Sequence, residues 1–251
     1  MSVFSLEGKH IVITGASSGI GQQCAISCDM LGANISLIGR NIERLELTNK
    51  KLINKAYCYT CDLDMLETIP DLIQNIVDKM GQVDGFVHAA GYEETKPFKL
   101  HTPSLFQKHM DVNFFAGFEI ARLLSLKKFH KDGLSMVFLA SVMSVAAQPG
   151  QIAYCASKGA VISGMRALAV ELAKKKIRAN AISPGQVENT HMTNEMLKEF
   201  TEDSLKANKE AHLLGWLDKE DVANACIYLL SEASKRVTGI NLIVDSGYSA
   251  K

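Results

Sequence analysis

A short apolar stretch, His10-Ile-Val-Ile-Thr14, runs directly into Gly15-Ala-Ser17-Ser18-Gly19-Ile20-Gly21, and helical periodicity begins just after it with Cys24, Ile26 and Leu31. A strand feeding a glycine turn that opens a helix is a phosphate-binding arrangement: glycine lets the backbone approach an anion, and the free N–H groups at the helix start stabilise it. The spacing here is Gly-x-x-x-Gly-x-Gly, which departs from the common Gly-x-Gly-x-x-Gly fingerprint. A second strand over 34–39 follows at the distance a βαβ unit requires and ends in Arg40. An acidic residue there would suit a ribose diol, whereas an arginine suits a 2′-phosphate. A solvated loop arginine is the alternative, and Arg44 lies one turn further on.

The alternation continues along the chain. Apolar runs over 56–60, 84–89, 134–141, 177–182 and 240–245 read as buried strands, and the periodic segments 65–80, 104–127, 152–174 and 218–230 read as helices. Strictly alternating strands and helices imply a doubly wound α/β architecture with right-handed crossovers, helices on both faces and ligands at the carboxyl ends of the strands. With no repeat, low-complexity tract or proline-rich linker, the whole chain from 1 to 251 reads as one domain. The segment 186–215 is polar but carries Met192, Met196, Leu197 and Phe200 at near-helical spacing. It reads either as a core-packing helix pair or as a lid with adaptable methionines.

Ser141 stands at the end of a strand, and Tyr154 and Lys158 follow on the next helix. Residues four apart share a helical face, with Cβ atoms about 6 Å apart. A lysine cation there favours the phenolate, so Tyr154 is expected to have a lowered pKa and to act as a general acid/base. The Ser141 hydroxyl can hydrogen-bond a carbonyl oxygen. A solvated Tyr–Lys pair is the competing reading. Asn113 falls among Phe114, Phe115 and Phe118, where an amide needs partners; it either caps an irregularity in the helix or holds a water.

Charge excludes some functions. Lys+Arg and Asp+Glu balance at 27 each, which gives no field for nucleic acid or an anionic membrane. No leader pattern or long apolar span is visible, so a cytoplasmic protein is expected. Cys24, Cys28, Cys58, Cys61, Cys155 and Cys226 are too scattered for a disulfide framework. Cys58 and Cys61 have the spacing of a redox or zinc pair, but they flank a buried strand where cysteine acts as a small hydrophobe, and no metal is expected.

Taken together, Thr14-Gly15-x-x-x-Gly19-x-Gly21, Ala89-Ala90-Gly91, Asn113, Ser141, Tyr154-x-x-x-Lys158 and Pro184-Gly185 resemble the classical short-chain dehydrogenase/reductase family over essentially the whole length. Among its members, the chain looks similar to 3-oxoacyl-[acyl-carrier-protein] reductases. The resemblance implies a Rossmann fold with a mostly parallel seven-stranded sheet and a catalytic tetrad of Asn113, Ser141, Tyr154 and Lys158, of which Tyr154 and Lys158 also contact the cofactor, Lys158 at the nicotinamide ribose. It also implies that Asp62 and Leu63 contact adenine, and that Ala90, Gly91, Pro184, Gly185 and Val187 contact the cofactor, as do Ser17, Ser18 and Ile20 in the glycine turn. A homotetramer is implied, with a dimer as the alternative.

Three positions depart from the family pattern: His88 stands where an asparagine is common, Asn189 where a threonine is expected, with Thr190 one place later, and Ser246 where a glycine is common. The expected activity is NADP(H)-dependent hydride transfer to or from a small-molecule carbonyl or secondary alcohol. The leading substrate is a 3-oxoacyl thioester, and a sugar, polyol or steroid-type alcohol is the runner-up. An NADP(H)-binding sensor without turnover is the reading from another class. Lys127, Lys128 and Lys131 suit either an acyl carrier protein or, more simply, a solvated helix end.

Overall fold

The structure, a computed structural model, describes residues 2–198 and 200–250 of the 251. Glu199, inside the expected lid, lies outside the described residues. Among the described residues there are seven strands: β1 His10–Thr14, β2 Asn34–Gly39, β3 Ala56–Thr60, β4 Val83–His88, β5 His130–Leu139, β6 Arg178–Pro184 and β7 Asn241–Val244. They form one sheet of order β3-β2-β1-β4-β5-β6-β7, and every pair is parallel. The expected doubly wound fold is therefore present, with an entirely parallel sheet.

Both faces of the sheet are covered, so its central strands are apolar on both sides. Val12, Phe86, Met136 and Phe138 pack on one face with α3 (Ile69–Met80), α5 (Ala116–Leu124) and α6 (Ile152–Leu172). Ile11, Ile13, Val87, Val137 and Leu139 pack on the other with α1 (Gly19–Met30), α2 (Ile42–Asn49) and α9 (Lys219–Leu230). Strand side chains alternate in direction, which is why neighbouring residues join different layers.

The strand order reverses between β1 and β4, and the crevice outside their carboxyl ends is where such sheets bind ligands.

The helix expected over 104–127 runs unbroken from Pro103 to Leu124 but is not α-helical throughout. It forms as α4 (Pro103–Met110), a π turn over Asp111–Phe115 and then α5. The segment 186–215 holds two helices, α7 (His191–Leu197) and α8 (Glu202–Ala211). β5 begins at His130 rather than at 134, because its exposed start, Lys131-Asp132-Gly133, carries no apolar signal.

Candidate active site

The turn after β1 is shaped by contact with the end of β4. Gly15 adopts a left-handed φ of +67°, and a Cβ there would lie 2.8 Å from the Ala90 nitrogen, so no other residue fits without displacing that backbone. The Thr14 hydroxyl accepts from the N–H groups of Ala89 and Ala90, both at 3.1 Å, and reaches His88 Nδ1 at 3.0 Å. His88 Nε2 donates to the Val112 carbonyl at 3.1 Å. A carbonyl can only accept, so the proton sits on Nε2 and Nδ1 accepts from Thr14. Burial, helped by the Lys158 charge, lowers the His88 pKa to about 4, which keeps this neutral tautomer at physiological pH.

The Val112 acceptor lies in the π turn, where the i→i+5 pattern departs from ordinary helical pairing. Asn113 lies in the same turn, fully buried. Its Oδ1 accepts from the Tyr92 N–H at 2.7 Å, and its Nδ2 donates to the Tyr92 carbonyl and to Ser157 Oγ, both at 2.9 Å. Asn113 sits in a helix irregularity but its side chain caps none of it; the partners the amide needs are the Tyr92 backbone and Ser157. The clamp also fixes the chain leaving Gly91.

A cleft of about 860 Å³, measured out to its open mouth, lies along these strand ends. Ser141, Tyr154 and Lys158 line it together, with Ile20, Gly91, Pro184, Gly185 and Val187. Asn113 stands just behind: a Cβ on Gly91 would meet Asn113 Oδ1 at 3.4 Å and Lys158 Nζ at 3.7 Å. Tyr154 is 8% exposed and Lys158 3%, so the solvated-pair reading does not hold.

Ser18 is the N-cap of α1 and makes no side-chain cap, and the first turn carries no acidic residue, so the N–H groups there stay available to an anion. Arg40 is exposed at the end of β2, and its charge acts on Asp64, next to exposed Asp62. The Leu63 side chain packs into the core. These residues fit an extended dinucleotide running from the β2 end across the glycine turn to Tyr154.

A sequence model of the family described as "Enoyl-(Acyl carrier protein) reductase" matches residues 15–249. The chain belongs to the short-chain dehydrogenase/reductase family. It is 30% identical to the 3-oxoacyl-[acyl-carrier-protein] reductase FabG of Rickettsia prowazekii, over 98% of both chains. A dehydrogenase/reductase structure from Sinorhizobium meliloti superposes with a TM-score of 0.91 at 28% identity, covering 98% of this chain and 97% of that one. A provisional 2-deoxy-d-gluconate 3-dehydrogenase from Agrobacterium tumefaciens, solved with bound NADP, gives 0.89 at 29% identity over the whole of both chains. Short-chain dehydrogenases/reductases are oxidoreductases that bind a nicotinamide cofactor, and the glycine cradle fits that group.

One expectation is corrected. Burial raises the Tyr154 pKa above the ordinary phenol value; the hydrogen bond from Ser141 opposes this, and the Glu93 charge adds to it. The Lys158 cation does not outweigh that burial, and the net shift is upward. The Lys158 ammonium donates to the Leu139 carbonyl at 2.8 Å, sits 5.7 Å from the Tyr154 ring centre, and has its own pKa lowered to about 8 by burial. A four-residue spacing says nothing of how deeply the pair is buried, and burial dominates here.

The departures from the family pattern have local explanations. Asn189 takes a left-handed φ of +54°, which asparagine tolerates, and this turns Thr190 into the cleft, where it also caps α7. Ser246 is left-handed as well, with Asp245 accepting from the N–H groups of Gly247 and Ser249. Cys58 lies on β3 and Cys61 just past its end, and their side chains pack into opposite faces of the sheet rather than toward one point.

The cleft also contains groups that sequence reasoning missed: Glu93, Gln148 and Gln151, and Asn208 and His212 from the segment 186–215. His212 Nε2 accepts from the Gln186 N–H at 3.0 Å and its Nδ1 donates to Asn208 O at 2.8 Å, tying α8 to the turn after β6.

Proposed function

We propose that this protein is an NADP(H)-dependent oxidoreductase that interconverts a carbonyl and a secondary alcohol, with Tyr154 as the general acid/base. The observation that carries this reading is a buried phenol, held protonated by burial, in one cleft with a serine hydroxyl and a lysine cation. The bound cofactor supplies or accepts hydride. Ser141 hydrogen-bonds the substrate oxygen, and Tyr154 gives that oxygen its phenolic proton as the carbon is reduced. Lys158 then faces the phenolate that remains and stabilises it by charge. With the 2′-phosphorylated cofactor, reduction is the favoured direction.

Gly15, Ser17, Ser18, Gly19, Ile20 and Gly21 would cradle the pyrophosphate, with Asp62, Leu63, Ala90, Gly91, Pro184, Gly185 and Val187 along the rest of the dinucleotide. Arg40, exposed and basic where an acidic residue would select NAD, supports a preference for the 2′-phosphorylated cofactor. Met192 and Met196 from α7 reach the cleft with Asn208 and His212, which supports reading 186–215 as its cover. Glu93, Gln148 and Gln151 favour a polar substrate of the sugar or polyol kind over a 3-oxoacyl thioester.

Fluorescence titration with NADPH and NADH tests the cofactor assignment. Tighter NADPH binding in the native protein, with the ratio between the two shifted in Arg40→Asp, is expected. Equal affinities would contradict the assignment.

A further inference from the structure

One wall of the cleft carries a carboxylate that the proposed reaction does not use. Glu93 follows Gly91 by two residues and lines the same space as Ser141 and Tyr154. The Thr95 hydroxyl donates to Glu93 Oε1 at 2.7 Å and Gln151 Nε2 donates to the same atom at 3.4 Å. Gln151 is itself 5% exposed, and its Nε2 also reaches Thr95 Oγ1 at 3.4 Å, so the amide is oriented with its donor toward the carboxylate. Both hydrogen bonds fall on Oε1, and neither uses Oε2. The adjacent Glu94 pairs with Lys96 and takes the Tyr92 hydroxyl, whereas Glu93 has no ion pair among the described residues.

Glu93 is half-buried, and a carboxylate, which can only accept, is disfavoured when partly withdrawn from water without an ion-pair partner. Its charge acts on Tyr154, which places it within electrostatic reach of the reacting group. A substrate that brings a donor or a positive charge removes the cost; one that brings a carboxylate adds repulsion, which discriminates as effectively as any new contact. Lys158, the one lysine or arginine among the described lining residues, already donates to the Leu139 carbonyl, and Glu93 is the one carboxylate there.

We infer that Glu93 is a specificity-determining residue: the cleft selects alcohols or ketones bearing an amino group close to the reacting carbon, accepts neutral polyols less well, and rejects sugar acids. The inference rests on the oxidoreductase reading of the cleft, since that reading makes the space a substrate site.

Glucamine, sorbitol and gluconate differ only at one terminal carbon, which carries an ammonium, a hydroxyl or a carboxylate. Their Kd values are measured by calorimetry with and without saturating NADP+, on native protein, Glu93→Gln and Glu93→Asp. Glucamine is expected to bind at least about tenfold more tightly than gluconate to native protein, with sorbitol between, as one charge-assisted hydrogen bond would give. Glu93→Gln keeps shape and hydrogen bonding but loses the charge, so the three ligands should converge; Glu93→Asp should retain the order. Gluconate binding as tightly as glucamine, an order that survives in Glu93→Gln, or no binding of any of the three overturns the inference. Turnover of carbonyl compounds, assayed in parallel, keeps the two readings apart. Lost order with turnover retained sinks the Glu93 role alone, and retained order without turnover on any carbonyl sinks the oxidoreductase reading alone.

Discussion

The ammonium of Lys158 donates a 2.8 Å hydrogen bond to the carbonyl oxygen of Leu139, the last residue of β5. The helix that carries Tyr154 is thereby fastened to the strand end beside Ser141, and the cation is held in a desolvated place where its pKa falls to about 8. Tyr154 moves the other way, above the ordinary phenol value. As pH rises from neutrality, Lys158 therefore loses its proton first. The kcat/KM for reduction should fall as pH rises through about 8, with Lys158 as the source. Lys158→Ala should lower both turnover and cofactor affinity. A profile flat through this region, or normal binding and turnover in the variant, would contradict the double role.

His88 gives a stability prediction with a definite sign. Its folded pKa of about 4 lies below the ordinary 6.5, so between these values the unfolded chain binds the extra proton. The contribution is complete above pH 6.5 and is lost as pH falls toward 4, by about 3 kcal/mol for a group this deeply buried. Denaturant unfolding of native protein and His88→Asn across that range should show the native protein losing more stability as pH falls. Parallel curves would remove His88 from the account.

Gly117 makes room for the same imidazole. A Cβ there would lie 2.5 Å from His88 Cδ2, so Gly117→Ala must push the ring off the Thr14–Val112 bridge or shift α5. A loss of about 1–3 kcal/mol in unfolding free energy is expected from this overpacking. Unchanged stability would mean that the ring moves without cost.

Just past the end of β2, Arg40→Asp should weaken NADPH binding and improve NADH binding, because an aspartate repels the 2′-phosphate and accepts from a ribose diol. The ratio of kcat/KM values for the two cofactors reports this directly. An unchanged ratio would take Arg40 out of recognition.

Much of this was legible in the sequence because it is written in short-range pattern. The apolar runs marked the strands, the glycine turn marked the phosphate end, and Ser141, Tyr154 and Lys158 do line one cleft. What was not legible depends on three-dimensional environment. The sign of the Tyr154 shift follows from burial, which spacing does not encode. Glu93 and Gln151 come together from a loop without periodicity and a helix start far along the chain, and nothing local marks either. The π turn left one trace, an amide among aromatics at Asn113, and that trace allowed two readings.

The central claim is that Tyr154 moves the proton in a cofactor-dependent reduction, and it is tested most directly by NADPH oxidation against a panel of sugar ketones, amino ketones, 3-oxoacyl thioesters, quinones and steroid ketones, with native protein and Tyr154→Phe side by side. Turnover by native protein, reduced at least about 10²-fold in the variant at unchanged NADPH affinity, is the expected result. Equal turnover by the two proteins, or cofactor binding with no turnover by either on any of the panel, would contradict it.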